Sequence, residues 1–181
     1  MIMPFDLQPT LRGKLIILRP LRPEDFAHLF AVASDPLIWE QHPARDRYKE
    51  DVFKEFFRVA LESRGALLAV DAANDRVIGS SRYLGYDSEN SEVEIGYTFL
   101  SRSHWGGRYN GEMKHLMLSH AFTFVKTVVF LIGEMNIRSQ RAVEKIGAVR
   151  IEPRKNGEGL ERVTFMITSE MFAAANPVAP R

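Results

Sequence analysis

The stretch Glu94–Lys126, EIGYTFLSRSHWGGRYNGEMKHLMLSHAFTFVK, decides how the rest of the chain is read. Its first part is a strand: Val93, Ile95, Tyr97 and Phe99 alternate with Glu94, Gly96, Thr98 and Leu100, giving two distinct faces. The loop Ser101–Gly111 follows. Then Met113, Leu116, Met117, Ala121 and Phe124 recur at helical spacing, with Leu118, Phe122 and Val125 on a second stripe. Glycines between a strand and a helix leave backbone N–H groups unpaired at the helix start, where the helix dipole adds partial positive charge. Together these suit a phosphate or pyrophosphate. The same glycines also suit a plain tight turn. Neither the Gly-x-Gly-x-x-Gly fingerprint nor the Gly-x-x-x-x-Gly-Lys-Ser/Thr phosphate loop occurs, which disfavours the common nucleotide-binding proteins.

Working outward, 181 residues suit one domain with a substantial core, 1–181, folded over about 11–172. The formal net charge of +1 provides no field to attract nucleic acid or a membrane. Cysteine is absent, which removes disulfides, thiolate nucleophiles and cysteine-ligated zinc and is compatible with a reducing compartment. The start MIMPFDLQPT has neither a basic end nor a long apolar run, so no signal peptide is read and a cytoplasmic protein is expected. No apolar run approaches the ~20 residues that span a bilayer.

Lys14–Leu18 reads as a first strand, ended by Arg19-Pro20. Pro23 opens a helix that runs to Asp35-Pro36, and a second helix covers about Lys49 to Ser63. Ala66–Val70 and Val77–Leu84 form a hairpin around Asn74-Asp75. Val128–Ile132 is apolar throughout, as befits a strand buried on both faces. A helix from Ile137 to Ile146 follows, with Gly147 at its C′ position. Val149–Glu152 and Val163–Ile167 close the chain around the turn Lys155–Gly159, and a mobile tail is expected over Asn176–Arg181. The order β-α-α-β-β-β-α-β-α-β-β predicts an α/β fold with a mixed sheet.

Four pieces of this order carry a resemblance. They are Leu18-Arg19-Pro20-Leu21 with Glu24-Asp25, Glu94-Ile95-Gly96-Tyr97, Trp105–Glu112 (WGGRYNGE), and Asn136-Ile137-Arg138-Ser139 with Glu144–Ala148 (EKIGA). In this order and spacing, the chain resembles the GNAT acetyltransferase superfamily, in its Rim-type ribosomal-protein N-terminal acetyltransferase branch. The resemblance implies a single GNAT-like domain: a mostly antiparallel mixed sheet splayed between two parallel central strands and flanked by helices. It implies transfer of an acetyl group from acetyl-CoA directly to a primary amine, on a small molecule or a protein N-terminus, with no metal.

The resemblance also implies site residues. Backbone at Phe99 and Leu100 would pair with the pantetheine amides like an added strand. The loop Gly106, Gly107, Arg108, Tyr109, Asn110, Gly111 and Glu112 would hold the pyrophosphate, and Asn136 would bond the pantetheine arm. Arg141 and Lys145, one turn apart in a locally basic segment, would meet the 3′-phosphate. They suit a solvated helix face as well. The family acid is usually a tyrosine seven residues after the asparagine; Val143 stands there. Ser139, three residues after Asn136, matches the Rim-type acid, and also suits a cofactor hydrogen bond or a helix cap. Glu94 is the base expected, with Glu134 as the alternative and a structural glutamate as the other reading. Trp39, His42 and Tyr83 are candidates for the acceptor pocket and equally for the core.

One departure lies in the pyrophosphate loop, where Arg108 occupies the family glycine and Asn110 the small residue. Either Asn110 adds a phosphate contact, or the loop geometry has changed. The second alternative makes the chain a catalytically weak acyl-CoA-binding module. His115 and His120 are five apart, which is not helical metal-ligand spacing. Dimers are common in such families; nothing in the sequence establishes a homodimer here.

Overall fold

A computed structural model describes residues 5–176 of the chain. Apart from Asn176, the tail expected to be mobile lies outside the described residues. The strands are β1 (Leu11–Arg12), β2 (Ile16–Pro20), β3 (Ala66–Asp71), β4 (Val77–Asp87), β5 (Glu92–Leu100), β6 (Thr127–Ile132), β7 (Val149–Lys155) and β8 (Glu161–Thr168). The helices are α1 (Phe26–Ala33), α2 (Glu50–Glu62), α3 (Arg108–Ala121), α4 (Ile137–Glu144) and α5 (Ser169–Ala175). All eight strands join one sheet in the order β1-β2-β3-β4-β5-β6-β8-β7. Every adjacent pair is antiparallel except β5 and β6.

Period-two alternation assigns the two layers. Val93 and Ile95 of β5, with Tyr83, Leu67 and Phe130, pack under α3 through Met113, Met117, Leu118 and Ala121. Leu68, Val70 and Phe99 face the other way and pack on α1 and α2 through Leu29, Ala33, Phe53 and Phe57. Phe53 and Phe57 are one turn apart on α2, which sets a whole aromatic stripe against the sheet.

The parallel pair is short. β5 and β6 are in register only at Glu92↔Thr127, Val93↔Val128 and Glu94↔Val129. Beyond Glu94 the strands separate, and β6 continues alone against β8 as far as Ile132↔Val163. On its other side β5 carries a bulge: Arg82 faces Gly96 while Ser80 faces Phe99, so Tyr97 and Thr98 share one partner. Tyr97 takes φ +51° to fit. A bulge bends its strand, and here it accompanies the point where β5 leaves β6.

The ends of elements depart from the sequence reading for local reasons. The strand read at Lys14–Leu18 is β2 and starts at Ile16, because the Glu112 carboxylate accepts from the backbone N–H groups of Lys14, Leu15 and Ile16 and holds that turn (2.9, 2.7 and 2.9 Å). The long helix stops at Ala121. The N–H groups of Lys126 and Thr127 both donate to the Ser91 carbonyl, pulling the chain off the helix and alongside β5. α5 was not legible from periodicity; Thr168 caps it by accepting from the Met171 N–H at 3.2 Å. Gly147 takes φ +93°, with Gly147 N–H donating to Glu144 and Ala148 N–H to Val143, the Schellman arrangement expected at a C′ glycine.

Candidate active site

Glu94 stands at the last paired position before β5 and β6 part. Its face is that of α2, opposite Val93 and Ile95. It is half-buried and makes no hydrogen bond to the described residues. A Cβ built on Gly96 would lie 3.0 Å from Glu94 Oε1, so the carboxylate leans over that glycine. Burial, reinforced by the charge of Glu92, pushes the Glu94 carboxyl up to about 7. A carboxyl in that range exchanges protons at neutral pH, as a general base must.

The glycine loop leads into α3, whose N-cap is Gly107 and whose first turn receives no side-chain cap. The N–H groups at Arg108, Tyr109 and Asn110 therefore remain for an anion. The side chains of this loop point elsewhere. Tyr109 donates its hydroxyl to Asp71 at 3.2 Å, and Glu112 serves the β1–β2 turn. Arg108, Gly106, Gly107 and Gly111 are exposed, and Asn110 is half-buried. A pocket of about 310 Å³ runs from Gly111 and His115 to Lys145 and Gly147. It brings the loop and the basic end of α4 together. Arg141 is exposed on the same helix.

The splay is not an open slot. The Trp105 indole N–H donates to the Leu100 carbonyl at 2.8 Å, engaging one of the backbone groups expected to meet pantetheine. Phe99 is buried against Trp39, with ring centroids 5.0 Å apart. The Arg138 guanidinium lies 3.9 Å from the Trp105 ring centroid and donates to the Ile38 carbonyl, while the Arg138 N–H donates to Gln41 Oε1. The α1–α2 loop is thereby tied to the start of α4. Asn136 is the N-cap of α4, its side-chain oxygen accepting from Ser139 N–H at 3.3 Å. The Ser139 hydroxyl makes no hydrogen bond to the described residues, which leaves it available to a ligand. Glu134 is exposed and lines a second pocket of about 320 Å³ with His42, Pro43, Gly133 and Arg162.

The three acceptor candidates separate. His42 lies at that pocket, and burial with the charge of Arg47 pushes its imidazole down to about 3, so it stays neutral. Trp39 is 2% exposed, its indole N–H donating to the Ala33 carbonyl at 2.7 Å; it supports Phe99 from within the core. Tyr83 does not join them. Alternation along β4 turns it to the α3 face, fully buried, with its hydroxyl donating to the Met117 carbonyl.

Three residues escaped sequence reading. Arg47 and Arg82 lie on the α2 face around Tyr97, with Arg82 opposite Gly96. Lys114 sits under the splay, donating to Thr98 Oγ1 at 2.7 Å, with its ammonium 5.3 Å from the Phe130 ring centroid. Burial pushes Lys114 down to about 7. Its signal was available: Lys114 extends the stripe Leu118, Phe122 and Val125 by one turn, on the buried side of the helix.

No curated protein matches this sequence. The family model for the acetyltransferase (GNAT) domain matches residues 16–149. Similar solved structures include a GCN5-related N-acetyltransferase from Brucella melitensis (20% identity, 95% of this chain and 84% of that one, TM-score 0.78). They also include RimJ of Mycobacterium smegmatis in complex with CoA-disulfide (17%, 90% and 87%, 0.66). A third is an acetyltransferase from Agrobacterium tumefaciens (23%, 89% and 95%, 0.70). At these identities the likeness is one of fold. Among the described residues no helix is long and apolar enough to cross a membrane. With most of its length covered by the family model, the chain belongs to the GNAT acetyltransferase family and is an N-acetyltransferase.

Proposed function

We propose that this chain moves an acetyl group from acetyl-CoA directly to a primary amine, within one ternary complex, in the manner of the Rim-type branch. The observation that carries the reading is Glu94. It is a carboxyl raised to about 7, without a hydrogen-bond partner among the described residues, at the point where β5 parts from β6. Acetyl-CoA would supply an activated thioester and a thiolate leaving group. The uncapped start of α3 fits its pyrophosphate, and Lys145 with Arg141 its 3′-phosphate.

Each step follows from what this chain holds. Glu94 takes the ammonium proton of the acceptor, through water, so that the amine can attack. A backbone N–H of β5 near Leu100 donates to the oxyanion. The Ser139 hydroxyl gives a proton to the departing sulfur and regains one from the attacking nitrogen, which sheds its second proton as the amide forms. The Asn136 side-chain oxygen is occupied by the cap of α4, which leaves its amide NH₂ for the pantetheine arm. The working place is the cytoplasm, and the acceptor is a small molecule or a protein N-terminus.

The test is calorimetry with acetyl-CoA on the intact protein, Asn110→Ala and Asn136→Ala, followed by thiol release across a panel of amines. Binding weakened by either change, with thiol release that needs Glu94, is the expected result. A folded protein that binds no acetyl-CoA would refute the reading. Binding without thiol release on any amine would favour the acyl-CoA-binding module.

A further inference from the structure

Two arginines on the α2 face of the sheet have no counter-ion among the described residues. Arg82 is 4% exposed, and its Nε is buried without a hydrogen-bond partner among the described residues. Its guanidinium lies 4.3 Å from the Tyr97 ring centroid and 5.6 Å from that of Phe56. Arg47 reaches the same two rings from the α1–α2 loop, at 5.6 and 4.6 Å. Elsewhere even exposed arginines found carboxylates: Arg58 with Glu55 and Glu62, Arg102 with Asp35, Arg154 with Glu92. No ion pair among the described residues includes Arg47 or Arg82. Asp46 and Glu158 act on Arg47 only at a distance.

The neighbouring histidine does not help. The Ala44 N–H donates to His42 Nδ1 at 2.9 Å, so the neutral ring carries its proton on Nε2. That nitrogen faces Arg47 Nη1 at 3.3 Å, a donor toward a donor. Arg47 therefore has no acceptor among the described residues either. Stacking on aromatic faces stabilises such cations only modestly, and two of them on the same rings repel. Burying an unpaired guanidinium is costly unless something completes it.

The position of the pair says what that is. Arg82 faces Gly96 across the ladder, and the Glu94 carboxylate leans over Gly96. Two fixed positive charges thus lie on the same face of β5 as the base, set off from it toward Tyr97, and neither is among the charges that shift the Glu94 carboxyl. We propose that Arg47 and Arg82 bind an anionic group on the acetyl acceptor, which is a small amine carrying its own carboxylate or phosphate. The inference rests on the function proposed above and names its substrate class. Glu94 meets the ammonium end and the arginines the anionic end, so the site is complementary to a zwitterion. Planar guanidiniums suit either oxyanion through paired N–H donors. The aromatic walls and the burial of Arg82 exclude a folded protein's surface.

The test compares matched amines at saturating acetyl-CoA, by thiol release: an amino acid against its amide, and an aminoalkyl phosphate against the plain alkylamine. Intact protein should prefer the anionic member by at least about tenfold in kcat/KM, and the better of the two anions identifies the group. Arg82→Gln and Arg47→Gln should each lose that preference, while calorimetric acetyl-CoA affinity stays unchanged. A preference for the neutral amines, or for a peptide N-terminus without an acidic residue, overturns the proposal with the acetyltransferase reading intact. A second readout does not need turnover. Inorganic phosphate should raise the thermal midpoint of the intact protein more than that of either variant, each checked as folded by circular dichroism. Equal shifts in all three overturn the proposal. Phosphate selectivity without any thiol release would fault the catalytic reading instead.

Discussion

Replacing Glu94 by glutamine keeps the side chain's shape and removes its charge. In the folded protein burial and Glu92 hold this carboxyl near 7, against an ordinary 4.5. Between those values the folded state binds more protons than the unfolded one, so stability falls as pH rises through the window. Above about pH 7 the ionised Glu94 costs about 3 kcal/mol. Glu94→Gln should therefore be more stable than the parent by about that amount at pH 8, with the advantage fading toward zero at pH 4. Urea denaturation at several pH values measures this. Activity should move the other way. The parent's kcat/KM should rise with pH through about 7, and the variant should lose about a hundredfold or more together with that limb. Glu92→Gln should move the limb to lower pH, since Glu92 helps to raise the carboxyl. A stability difference between parent and Glu94→Gln that stays constant from pH 4 to 8 would refute the argument, and so would unchanged kcat/KM.

Lys114→Met should stabilise the protein by about 5 kcal/mol near pH 6, where the parent buries an ammonium, and by almost nothing near pH 10.5. The sign follows because the unfolded lysine holds its proton between about 7 and 10.5 when the folded one does not; equal gains in denaturation midpoint at both ends would contradict it. Glu112→Ala should cost about 2–4 kcal/mol in thermal or urea denaturation, as three N–H groups of the β1–β2 turn lose a charged acceptor. Its acetyl-CoA affinity should stay within about threefold; a large loss would assign the carboxylate to the ligand instead. Gly133→Ala places a methyl 2.6 Å from Pro43 Cγ and should displace the α1–α2 loop. A raised KM for the amine with unchanged acetyl-CoA affinity is the outcome to look for in steady-state kinetics.

The sequence by itself determined most of the elements and their kind, β1 and α5 excepted. Alternation in Glu92–Leu100, the apolar run Val128–Ile132 and the α3 stripes are local periodicities, and each produced the element it implied. Gly147 marked its helix end because only a positive φ closes a Schellman turn there. The four-piece resemblance pointed to the family, and Glu94 to the place where the parallel strands part. Tertiary structure alone decided which candidates share a site. Tyr83 and Arg82 are neighbours in sequence, yet pleating sends one into the α3 core and the other to the α2 face beside Tyr97. The bulge at Tyr97 is set by the partner strand, so nothing in β5 alone announces it. Arg47 meets Arg82 across 35 residues through shared aromatic rings, and what makes the pair informative is that no carboxylate among the described residues pairs with either. Charge pairing and burial are sums over distant chain segments, and a local pattern carries no record of them.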